Sequence, residues 1–131
     1  MKRRTAMFFL VLLALVTAGS ASAHHNMSAI FDFNDRVTLT GTMTKVEWVN
    51  PHIYLSLEAK RAGDALEPWS VEGPSPSYFR THDINKSEFE GAIGTTVTVE
   101  ASRARDGSKS GLLRLITLSG GKVISLCPQN C

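Results

Sequence analysis

The hydrophobic pattern of this chain changes character along its length. Residues 7–19, "MFFLVLLALVTAG", form an apolar run in which Thr17 is the one polar side chain. From residue 36 onward, apolar and polar positions alternate, and short stretches rich in Gly, Pro, Asp and Ser interrupt them. A period of two predicts half-buried strands, and the breaker residues predict the turns between them. "RVTLTGTMTKVEWV", residues 36–49, predicts a long first strand in which Gly41 marks a bulge or bend. After the turn signal Asn50-Pro51, "HIYLSLEA", residues 52–59, predicts a second strand. It places Ile53, Leu55 and Leu57 on one face and Tyr54, Ser56 and Glu58 on the other. Further strands are predicted over residues 67–73, 95–105 and 112–119, with a last short one over 122–126.

One stretch breaks the alternation. "SPSYFRTHD", residues 75–83, predicts a short helix with Ser75 as its cap and Pro76 in its first turn. Residues 84–94 form a connector with room for another helical turn, and residues 24–35 read as an extended lead-in that docks Ile30, Phe31 and Phe33. The predicted fold class is therefore mainly β. Three strands, a short helical insert between strands 3 and 4, and two or three more strands suit a small OB-like barrel of five to six strands. No internal repeat, linker or low-complexity segment interrupts it.

The apolar run changes the picture of location and charge. Lys2, Arg3 and Arg4 precede it and Ala21-Ser22-Ala23 follows it, the layout of a cleavable secretory leader over residues 1–23. The run is shorter than the roughly 20 residues of a spanning helix, so no stable membrane anchor is expected after cleavage. The product, residues 24–131, suits a single domain with a periplasmic or secreted location. The 131-residue chain carries 14 Lys and Arg against 12 Asp and Glu, but three of those basic residues leave with the leader. What remains is nearly neutral and holds no Lys/Arg-rich run, so a nucleic-acid partner is not expected. A protein or small-molecule partner stays open.

Cleavage after Ala23 would make His24 the first residue, followed by His25. A terminal amine, with an ordinary pKa of about 8, sits beside an imidazole and can be freed for a metal at neutral pH. The amine and Nδ1 of His24 close a six-membered chelate, and one more imidazole completes the T-shaped histidine brace. Such tetragonal nitrogen sites suit Cu(II), whereas Zn(II) favours a tetrahedral set. His52, at the head of the second strand, is the better third donor. His25 points away from His24 in an extended chain and offers a rival mode through its own amide. Met27 can add sulfur for Cu(I), and Asp32 and Glu47 can support the ligands. Against this stand solvated terminal histidines and a His52 that only bonds its turn. His82 reads as a surface residue.

No G-x-S-x-G, H-E-x-x-H or phosphate-binding glycine loop is present, so no catalytic residue is assigned and an enzyme is not expected. Glu47, Glu58, Glu67 and Glu72 read as a solvated face. Trp48, Tyr54 and Trp69 can line a ligand groove or simply pack the barrel. Cys127 and Cys131, in the tail "CPQNC", can form a small-loop disulfide, a redox pair or soft metal ligands.

"AHHNMSAIFDFNDRVTLTGTMTKVEWVNPHIYLSL", then "WSVEGPSP" and "VTVEASRARDGS", resembles a family of small exported bacterial proteins of unknown function, DUF6152. "VEWVNPH", residues 46–52, and the pair His24-His25 are the most specific parts. The chain departs in Asn26 and Met27, where "SF" is usual, and in its Cys-bearing tail. The resemblance implies export and a small β-barrel, and it brings no activity.

Overall fold

A computed structural model describes residues 27–126. The expected leader, His24, His25, Cys127 and Cys131 lie outside the described residues. Alternation becomes strand along the whole described chain, with shifted ends. The strands are β1 (Phe31–Glu47), β2 (Tyr54–Lys60), β3 (Glu67–Glu72), β4 (Thr96–Ala104), β5 (Ser110–Thr117) and β6 (Val123–Ser125). A helical turn, α1 (Met27–Ile30), precedes β1. Between β3 and β4 the chain forms α2 (Pro76–Thr81) and α3 (Lys86–Glu90). Ser75 caps α2 by accepting a hydrogen bond from the Tyr78 amide, with Pro76 at its start.

The sheet runs in the order β3-β2-β1-β4-β5-β6. All neighbours in that order are antiparallel, and β3 also pairs with β5 in parallel through Ser70, Val71 and Glu72. That additional pairing closes a ring of hydrogen bonds through β1, β2, β3, β5 and β4. The length of β1 makes this possible, because one part of it pairs with β2 and an overlapping part with β4. The ring leaves few open backbone edges.

The inward positions form one cluster. Leu39, Met43, Ile53, Leu55, Val71, Val99 and Ile116 are all fully buried. Leu55 and Leu57 share the buried face of β2, and Ile53, just before it, is buried with them, as the alternation predicts. The helices add Phe79 and Phe89, whose ring centroids lie 5.3 Å apart. Fully burying side chains of this size contributes about 1.5–3 kcal/mol each. Among the described residues one charge is buried: Arg114 donates through Nη1 to the hydroxyl of buried Ser102, at 3.0 Å.

Three expectations need correction. The lead-in is not extended throughout: it makes the turn α1, and β1 starts at Phe31 rather than at residue 36. Only Phe31 of its three docking candidates is buried, while Ile30 and Phe33 stay 46% and 41% exposed. The register shifts between Asp32 and Arg36, which breaks the in–out alternation and leaves Phe33 outside. Gly41 does not carry the bulge on the β2 side; that irregularity falls between Met43 and Lys45. Gly41 instead permits close approach, since a Cβ there would stand 2.1 Å from the Glu58 carbonyl oxygen.

Candidate functional site

His52 is placed by the turn that ends β1 and by backbone bonds to the strand beyond. The Asn50–Pro51 peptide before it is cis. Ile53 N donates to Pro74 O at 3.1 Å, and Gly73 N donates to Ile53 O at 2.9 Å. These bonds extend the β2–β3 pairing past its last register pair, Tyr54 with Glu72. Alternation then turns His52, Tyr54 and Glu72 to one face, with Ile53 buried on the other.

Two clefts meet at His52. One, of about 380 Å³, is lined by Met27, Ile30, Pro51, His52, Tyr54 and Glu72. The other, of about 290 Å³, is lined by Met27, His52, Gly73, Pro74, Tyr78, Leu112, Leu113 and Leu126. Met27 and His52 belong to both. The first described residue of the lead-in therefore stands at the imidazole that the sequence singles out as the third donor.

The electrostatics of the cleft centre on Glu72. His52 Nδ1 donates to Glu72 Oε1, and the two side chains are only 25% and 17% exposed. Nδ1 is thereby committed, and Nε2 is the nitrogen left for a ligand. A carboxylate behind an imidazole fixes its tautomer and ring orientation, the usual support of a metal-ligating histidine. The Tyr54 phenol is pushed above its ordinary value by burial first, then by the charges of Glu72 and Glu47. Both effects favour the neutral phenol.

Glu72 corrects the expectation that the strand acids form only a solvated face. The residue-by-residue signal for its role was weak, because it depends on β2–β3 register. The other candidates have separate surroundings. Asp32 pairs with Arg105 at 3.2 Å and Glu47 with Lys45 at 2.9 Å, and neither lines the His52 clefts. Trp48, Tyr54 and Trp69 do not converge on one groove. Tyr54 lines the cleft. Trp48 packs on Phe79 and Phe89, with centroids 5.0 and 5.4 Å away. Trp69 lies in the core at 4% exposure. His82 is exposed at the end of α2, stacked on Tyr78 at 4.1 Å. Among the described residues no group of three or more His, Cys, Asp and Glu side chains comes together.

Among the described residues no helix is long and apolar enough to cross a membrane. A family model described as a family of unknown function, DUF6152, matches residues 12–114. No curated protein and no solved structure matches the chain.

Proposed function

Since the chain belongs to the DUF6152 family, which supplies no activity, we propose a function from its residues: an exported, OB-like β-barrel protein that binds copper through its mature N-terminus. His24 supplies amine and imidazole. His52 supplies the further nitrogen through Nε2, with His25 as the rival donor. The role is copper handling or delivery rather than turnover. The closed ring of strands and the two short helices between β3 and β4 support the OB-like reading.

The carrying observation is that Met27 and His52 line the same cleft. His24 lies three residues before Met27, so its Cα is at most about 11 Å away along the chain. A tether of that length allows the amine to reach the cleft that Met27 and His52 line. The donor chemistry fits as well. Amine and imidazole nitrogens in a tetragonal set favour Cu(II) over the other common divalent ions. Glu72 on Nδ1 leaves His52 able to bind through one nitrogen only. Copper would supply a positive charge held by neutral donors, with Glu72 compensating it from behind.

Isothermal titration of Cu(II) into protein that begins at His24 tests this reading. His24→Ala and His52→Ala should each weaken binding by at least tenfold. Equal affinity in wild type and His24→Ala sinks the proposal. Protein that keeps a tag or an initiator Met is the matched negative control, because its amine is displaced from His24.

A second reading is metal-free capture of a small ligand in the same place. Pro74, Tyr78, Leu112, Leu113 and Leu126 favour it, since they give one side of the cleft an apolar lining. That reading predicts ligand binding that survives His24→Ala.

A further inference from the structure

We propose that the cleft beside the β2–β3 loop is an oxyanion site, in which Arg36, Arg61 and Arg103 receive a small polyanion carrying phosphate or carboxylate groups. None of the residues that line it belongs to either cleft at His52. The site therefore goes beyond the copper reading and stands without it.

The cleft exists because β1 outruns its partner. The pairing of β1 with β2 ends at Thr40 and Lys60, whereas its pairing with β4 continues through Arg36 and Ser102 to Phe31 and Ala104. Beyond Lys60, β2 gives way to the loop at residues 61–66. A hollow of about 480 Å³ lies between that loop and residues 35–38 of β1, with Arg103 of β4 as a further wall.

Each guanidinium is brought there by a local cause. The register shift between Asp32 and Arg36 sets Arg36 opposite Ser102. Val37 is buried, so alternation leaves Arg36 on the outer face. The same shift leaves residues 33–35 outside the ladder, and Asp35 Oδ2 lies 3.4 Å from Arg103 Nη1. Arg61 is held within its own loop: its Nε donates to Asp64 Oδ2 at 2.6 Å, and the Asp64 amide donates back to Arg61 O at 3.1 Å.

Charge and donor geometry select the ligand. Three arginines and two aspartates line the cleft, which keeps one positive charge in excess. The aspartates engage only part of each fork. Asp64 takes the Nε of Arg61. The contact of Arg103 with Asp35 is longer than the roughly 2.7–2.9 Å of a tight charge-assisted bond, and Arg103 Nε is buried with no partner among the described residues. Guanidinium forks match the paired oxygens of phosphate and carboxylate groups. Because the aspartates hold two of the forks beforehand, less ordering is left to the binding step. The volume is that of a small-molecule site, and the apolar side chains in its wall are confined to Val37 and Ala62. Such a wall suits a polyanion rather than an apolar body.

The experiment titrates pyrophosphate and citrate, separately and at constant ionic strength, into the protein while amide chemical shifts are recorded. One-to-one saturation by at least one probe is expected, with shifts gathered at residues 35–38, 61–64 and 103. The tighter probe tells phosphate from carboxylate recognition. Arg61→Ala and Arg103→Ala should each weaken binding about tenfold, the usual loss of a charge-assisted bond. Arg61→Lys keeps the charge without the fork and should fall between. Added salt should weaken binding severalfold, because Arg61 and Arg103 are partly exposed. Arg61 stands in an exposed loop, so its variants carry the test even where Arg103→Ala unsettles the sheet. No saturation by either probe below about 10 mM overturns the proposal, as does equal affinity in wild type and Arg61→Ala. His52→Ala should leave anion binding unchanged. A loss there places the anion at His52 and also overturns the proposal, while failure of Cu(II) binding leaves it intact.

Discussion

His52 and Glu72 stand diagonally across the extended β2–β3 pair, and the imidazole Nδ1 donates to the carboxylate. The relationship settles two things at once. It spends Nδ1, and it puts a compensating negative charge on the far side of the ring from any ligand at Nε2. The pair is also largely sheltered from solvent, which strengthens its hold on ring orientation.

Replacement of Glu72 by Gln keeps the shape of this contact and removes its charge. Cu(II) affinity should fall by about 10–100-fold, the usual cost of losing a supporting carboxylate. His52→Ala should cost more, because it removes the ligand. Titration calorimetry on the two variants and on the double variant measures the difference. If Glu72→Gln weakens wild type but not His52→Ala, the carboxylate acts through the imidazole. Equal weakening in both backgrounds would assign Glu72 some other part.

The same carboxylate bears on Tyr54. Burial, Glu72 and Glu47 all raise its phenol above the ordinary value of 10.0. The folded state therefore keeps the phenolic proton to higher pH than the unfolded chain does. The stabilisation is complete below the ordinary value and is lost as pH rises through the folded value. Absorbance at 295 nm should show a late phenolate step that Tyr54→Phe abolishes and Glu72→Gln moves to lower pH. A Tyr54 step at or below the ordinary value would contradict this placement.

Much of this architecture is legible in the alternation. Ile53, Leu55 and Leu57 announce both the strand and its buried face, because the period of two is a property of the extended backbone itself. Ser75-Pro76 likewise announces the start of α2 by local bonding alone. What stays hidden depends on register. Nothing in the local sequence says that Glu72 lies diagonal to His52, or that Arg105 reaches back to Ser28. Such contacts are set by which strands pair and by the shifts near Arg36 and Met43. Phe33 looks as apolar as Phe31, yet the first of those shifts puts the two on different sides.

Gly41 is similarly a matter of register. It pairs with Ala59 across β1 and β2, where an added Cβ would also stand 2.5 Å from the Ala59 Cα. Backbone atoms cannot swing aside as a side-chain tip can. Gly41→Ala should therefore cost about 1–3 kcal/mol, the usual range for overpacking. Urea unfolding measures it. A loss below about 0.5 kcal/mol would mean that the two strands stand further apart at this point.

Trp69 offers the sharpest contrast between a groove residue and a packing residue. It is 4% exposed, its Nε1 finds no partner among the described residues, and Lys109 Nζ lies 5.5 Å from its ring centre. A buried indole N–H without an acceptor costs about 1–3 kcal/mol relative to a bonded one. Trp69→Phe removes that penalty while keeping an aromatic ring in the core, and the smaller ring leaves a void that offsets the gain. The net change in unfolding free energy should fall within about 1 kcal/mol of zero. Trp69→Ala keeps none of the packing and should cost about 3–5 kcal/mol. Chemical denaturation of both variants separates the terms. Neither change should alter Cu(II) affinity in protein that remains folded, because Trp69 lies in the core and lines neither cleft at His52. A large stability loss in Trp69→Phe would mean that the indole N–H has a bonded partner. A large affinity loss at unchanged stability would instead return Trp69 to the ligand-binding surface.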